Sequence, residues 1–299
     1  MVIGIFAAAL CALLQSFSYI SSAAFMKRYN SSFKLMVYSQ LAMGVVSVPL
    51  SIIFFPAGLF KDIPLLIGFM VLWVAVTCSG QFLFFATQKH IESSRLSSLL
   101  GLKIVVLAIT TALFFGEKIS LLQVLAIILA TSGAVAINGG VSTRKVTLIA
   151  VLYLMGAILS YCFADLMETK LMKLSNSGNI WLDGLGVCAT CYVLLGICML
   201  PLLRKVGFSF EQLTYGSPYG VLYFSSQVAL FVSFGAIGPV FANVIQSSRG
   251  IISVIIGIVL GRMGFAALDA KGDRRLWVRR MICAVIMTSA IIIYALSSR

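Results

Sequence analysis

Apolar runs of about twenty residues, parted by short clusters of charged and turn-forming residues, recur along the whole chain. A bilayer core of roughly 30 Å needs about 20 apolar residues per helix, so each run has the length of a membrane span. Ten runs fit, near residues 2–26, 33–56, 64–88, 95–115, 120–139, 147–168, 180–203, 217–236, 239–261 and 277–297. In lipid every backbone N–H and C=O must find its partner internally, so these runs are expected to be helices. None alternates apolar and polar positions with period two, as the strands of a membrane β-barrel do. The first run lacks a positively charged leader and is too long for a secretory signal, so it reads as a span. The expectation is an all-α integral membrane protein with ten transmembrane helices, multi-pass in the cell (inner) membrane, with the lipid bilayer around it.

The chain also repeats itself. Slid by 146 residues, Met26, Lys27, Asn30 and Ser31 meet Met172, Lys173, Asn176 and Ser177, while Ser79, Gln81, Phe85 and Ile91 meet Ser225, Gln227, Phe231 and Ile237. Lys103 then meets Arg249, and after one gap Gly116 meets Gly261. Apolar residues match by chance in such a sequence, so the polar pairs carry the weight. The pattern predicts two five-helix repeats, residues 1–146 and 147–299. Five is odd, so the second half enters the membrane from the opposite side and the repeat is inverted. Inverted repeats are the usual scaffold of alternating access, with substrate held near the midplane between the halves.

Composition agrees with lipid as the solvent: 61% of the residues are hydrophobic, 10% are charged and the mean hydropathy is +1.07, outside the range of soluble domains. The net charge of +13 could suggest nucleic acid. The basic residues sit in short loops at membrane edges, however, and no soluble domain carries a patch, so no nucleic-acid partner is expected. The odd-numbered loops hold fifteen Lys and Arg and the even loops with the C-terminus five; the positive-inside rule then places both termini outside. All seven cysteines fall within the runs, where they act as apolar filler. Cys188 and Cys191 share a helix face, but without a second ligand pair no metal is expected. A single histidine, His90, and the lack of zincin, dinucleotide and P-loop patterns leave no basis for an enzyme or a cofactor.

The stretch Leu113-Phe114-Phe115-Gly116-Glu117-Lys118-Ile119-Ser120 resembles the Gly-Glu signature of EamA-type drug/metabolite transporters, and Thr131-Ser132-Gly133-Ala134 is similar to the span that follows it. In the second half Arg262 stands where the signature has glutamate. The resemblance implies ten helices in two halves and a secondary transporter, working as monomer or homodimer on a small-molecule substrate. It also implies interest in basic residues of the fourth and ninth spans, since sugar-phosphate translocators of the superfamily use them.

An ionisable group at mid-bilayer costs at least about 2.5 kcal/mol and is read as functional. Lys103, nine residues into the fourth run, and Arg249, eleven into the ninth, are repeat mates. Together they could clamp a carboxylate or phosphate, arginine as a planar fork and lysine as a point charge; the alternative is internal pairing, with Asp165 the nearest acid in kind. Gln81 and Gln227, the second symmetric pair, either orient polar substrate atoms or bond across helices. Gln15, Ser18, Tyr19 and Ser22 form a polar stripe on the first span, answered by Tyr161, Asp165 and Glu168 on the sixth, as in a wet cavity. Asp165 is also the candidate for coupling to a proton, exchange against a counter-substrate being the other option. Glu168 is expected at the interface, as are Asp62, Glu92, Glu117 and Asp183. The function expected is transport of a small anionic or zwitterionic metabolite. An exporter of amino acids or lipophilic drugs with an aromatic cavity is the alternative within transport, and a channel, receptor or assembly subunit the alternative outside it.

Overall fold

The computed structural model describes residues 1–56, 58, 63–91, 96, 99–115, 120–122, 124–126, 128–129, 132, 147–175, 177–262 and 274–297. Their regular structure is helical: α1 (Val2–Tyr29), α2 (Ser32–Ile53), α3 (Ile63–Gln88), α4 (Lys103–Phe115), α5 (Leu148–Ser175), α6 (Ile180–Val206), α7 (Phe210–Ile237), α8 (Pro239–Gln246), α9 (Arg249–Arg262) and α10 (Arg274–Ser297). Six of them, α1 to α3 and α5 to α7, are long and apolar enough to cross a membrane. The fifth expected span, with its Thr131-Ser132 signature, lies largely outside the described residues, as do Asp62, Glu92 and Glu117.

Short polar residues set the helix starts. Ser31 Oγ accepts from Lys34 N–H, Asn179 Oδ1 from the N–H groups of Trp181 and Leu182, and Ser209 Oγ from Gln212 N–H, each satisfying a donor the first turn leaves open. Asn30 closes α1 with a left-handed φ of 46°, a conformation asparagine tolerates better than most residues.

The ninth run is not one helix. It divides into α8 and α9 at Ser247–Ser248, where N–H groups reach back three residues rather than four: Ser248 to Ile245 O at 3.1 Å and Gly250 to Ser247 O at 3.0 Å. Ser247 Oγ also donates to Val244 O at 2.6 Å, the kind of local bond with which serine competes against the helix ladder. In the fourth run a 3₁₀ turn, Leu100–Leu102, precedes α4.

The main packing pairs are α1 on α7, α2 on α6 and α3 on α5, with α4 against α5 and α8, and α8 and α9 against α1. The helices expose large apolar residues on their outer faces: Val45, Ile52, Val71 and Leu148 are all more than half exposed. Their polar residues turn inward, with Gln15, Gln40, Gln81 and Gln227 buried. Apolar outside and polar inside is stable only where the solvent is hydrocarbon. Four starts also recur at a fixed interval: α5 and α9 begin 146 residues after α1 and α4, and α6 and α7 begin within two residues of that spacing after α2 and α3.

Candidate substrate-binding site

Two cations stand at the starts of broken helices. Lys103 is the first residue of α4 and Arg249 the first of α9, each following a 3₁₀-type tightening that in mid-span marks a hinge or a functional position. Both are almost fully buried, at 5% and 4% exposure.

Each cation reaches across to the other half of the chain, and the two reaches match at the 146-residue interval. Lys103 Nζ binds Asp165 Oδ1 at 2.7 Å and Oδ2 at 2.6 Å on α5 and lies 5.8 Å from the Tyr161 ring centroid. Arg249 Nη1 donates to Gln15 Oε1 at 2.7 Å and Tyr19 OH at 3.5 Å on α1, its guanidinium 5.8 Å from the Tyr19 ring centroid. Tyr161 is the mate of Gln15 and Asp165 the mate of Tyr19. Even the backbone contacts correspond: Cys162 Sγ donates to Lys103 O at 3.4 Å and Ser16 Oγ to Arg249 O at 3.3 Å.

The two constellations differ in charge. Asp165 neutralises Lys103 and also accepts from Asn243 Nδ2 at 2.6 Å, so both its oxygens are engaged. Arg249 faces a phenol and an amide instead. Among the described residues no carboxylate lies within ion-pair distance of it, and its Nε has no hydrogen-bond partner. Gln246 Nε2 donates to the same Gln15 oxygen at 3.1 Å, fixing the acceptor that holds the guanidinium.

Between the constellations lies a cavity of about 20 Å³, room for about one water. Lys103, Arg249, Gln15, Tyr19, Tyr161, Asp165 and Gln227 all line it. Gln81 does not. It is buried on α3 and its Oε1 accepts from Tyr219 OH at 2.7 Å, so its part here is in bonding across helices.

Glu168 departs from the expectation. It is buried, at 4% exposure, lines the cavity and accepts from Trp73 Nε1 at 3.0 Å, while its Oε2 has no hydrogen-bond partner among the described residues. A charged residue ends an apolar run, so the run stopped at 168, whereas α5 continues to Ser175 and carries Glu168 inside. Asp183 is buried too: in the first turn of α6 it accepts from Ser175 Oγ at 2.5 Å and Ser177 N–H at 2.9 Å, tying the α5–α6 turn. Gln246, Thr77, Tyr192 and Tyr223 also line the cavity. Gln246 follows Asn243 by three residues on one face of an apolar run, a pair of amides by which this part of the wall could have been found in the sequence.

Apolar helices closed round a buried cluster of opposite charges define a multi-pass membrane protein with a polar interior site. Residues 2–139, a little under half of the chain, match the EamA-like transporter family. A solved structure titled only as the crystal structure of a protein matches over 96% of this chain and 97% of that chain, with a TM-score of 0.57 and 13% identity, a likeness of fold alone. No curated protein matches the chain.

Proposed function

We propose that the protein is an alternating-access secondary transporter of a small anionic or zwitterionic metabolite, bound in the cavity between two inverted five-helix halves of a ten-span bundle. The observation that carries this reading is Arg249, a buried guanidinium facing the cavity with no carboxylate partner among the described residues, while its mate Lys103 has Asp165. A desolvated cation without counter-charge is costly, and a carboxylate or phosphate bound at its planar fork removes that cost. The matched reaches of Lys103 and Arg249 support two halves exchanged by a pseudo-two-fold axis in the membrane plane, the scaffold of alternating access. The cavity has room for about one water, so loading a metabolite requires the helices to part at one face. Tyr19, Gln15, Tyr161 and Gln227 are the uncharged contacts offered to the substrate. Asp165 is the coupling group: its protonation would release Lys103 to the substrate anion, completing a clamp from both halves. An exchanged counter-substrate would do the same without a proton.

Lys103 paired internally is also what an apolar-cavity exporter of amino acids or lipophilic compounds would show, and the Tyr161, Tyr192 and Tyr223 wall suits one; Arg249 does not. A thermal-shift screen of the purified protein against phosphorylated, carboxylated and cationic metabolites tests the reading, because stabilisation rises with ligand concentration over Kd. Anions should stabilise the protein, and Arg249→Lys, which keeps the charge and loses the fork, should weaken the effect, with Arg249→Gln weakening it further. Unchanged affinity in Arg249→Gln would reject the anion site in favour of the exporter.

A further inference from the structure

We propose that Glu168 forms a cation subsite in this cavity, so that the transported molecule is a small aminocarboxylate carrying a protonated nitrogen besides its anionic group. The proposal rests on the reading that Arg249 holds the anion. Glu168 is buried, projects into the same cavity and engages only one of its oxygens, with Trp73. A buried carboxylate oxygen without a donor is unfavourable, and the nearest ammonium in the site, Lys103, is held by both oxygens of Asp165. The charges around the cavity therefore fall into one closed pair, Lys103 with Asp165, and two open groups, Arg249 and Glu168. A dianion would satisfy Arg249 and meet repulsion at Glu168. A zwitterion satisfies both, its carboxylate on the guanidinium and its ammonium on Oε2.

The walls suit an ammonium as well. Trp73 and Tyr192 stand edge to face with centroids 5.4 Å apart, and Tyr161, Tyr192 and Tyr223 line the cavity with Glu168. Aromatic faces attract a desolvated cation, and Lys103 over Tyr161 already shows the contact within this protein.

The test measures binding to the purified full-length protein in nanodiscs with three matched probe sets: the common L-amino acids, the amines left by removing their carboxylates, and the carboxylates left by removing their amino groups. At least one amino acid should bind, with its matched amine and carboxylate each weaker by about tenfold or more. Glu168→Gln should lower affinity for that amino acid by about tenfold and erase its advantage over the plain carboxylate, while Arg249→Gln weakens both. A carboxylate that binds as tightly as the best amino acid, with Glu168→Gln without effect, overturns the subsite and leaves the anion site standing. Amines that bind as tightly as the amino acids overturn the anion reading, and no binding from any set overturns both. The ranking of the three sets on the unaltered protein decides the matter even if Glu168→Gln does not fold.

Discussion

A buried cation needs a counter-charge, hydrogen bonds or both, and the two cations of this cavity meet that need differently because one repeat carries Asp165 where the other carries Tyr19. Tyr19→Asp would give Arg249 the internal partner that Lys103 already has. The variant should fold and lose anion-induced stabilisation, with affinity down roughly ten- to a hundredfold, the worth of a charge-assisted contact; isothermal titration with the ligand found in the screen reads this directly. Asp165→Asn does the reverse and strands Lys103. Removing one partner of a buried pair costs about 3–5 kcal/mol, so a large fall in melting temperature is expected. The double replacement Lys103→Met with Asp165→Leu should regain most of it, since an apolar pair leaves no orphaned charge. A single variant as stable as the parent would mean that the pair contributes little.

Among the elements, the crossing of α2 and α6 is set by two glycines. A Cβ built on Gly44 would lie 2.8 Å from the Gly196 Cα, and the reverse holds for Gly196, so the two backbones touch with no side chain between. Close approach of this kind replaces the hydrophobic effect as the source of helix association in lipid. Gly44→Leu must push the helices apart and should cost about 1–3 kcal/mol, visible as a lower melting temperature, whereas Gly68→Leu, with nothing within 4 Å of its Cβ, should leave it unchanged. Equal effects at the two positions would show that the contact is not needed. The broken helices carry a different lesson. Hydropathy averages over the break at Ser247–Ser248 and reads one span, because a 3₁₀ turn changes hydrogen-bond register without changing polarity.

For the whole molecule, two contacts bring odd-numbered loops to one face: Arg28 pairs with Glu211 at 2.6 Å, and Tyr38 OH donates to Gly207 O at 2.6 Å. The basic residues Lys27, Arg28, Arg204 and Lys205 therefore gather on the same side of the bundle. In the proposed ten-span arrangement the termini share a face, and the charge bias predicts that they lie outside. Reporter fusions at Arg299 should be active only on the outer side; activity confined to the cytoplasm would reverse the orientation.

The residues themselves determined the helical class, the lipid solvent, the 146-residue interval and the position of Lys103 and Arg249 as charges inside apolar runs, because length, hydropathy and the cost of a charge in hydrocarbon act locally along the chain. Asp165 was legible as an acid in an apolar run, and Gln15, Tyr19 and Tyr161 as polar stripes. Tertiary structure alone decided which partners met: that Asp165 takes Lys103, that Gln81 turns to Tyr219 and away from the cavity, and that Glu168, a residue whose charge made it look like a helix end, reaches the interior. Those outcomes depend on how α1, α3, α5 and α9 pack around one point. Residues far apart in the chain then share a dielectric that no single segment contains.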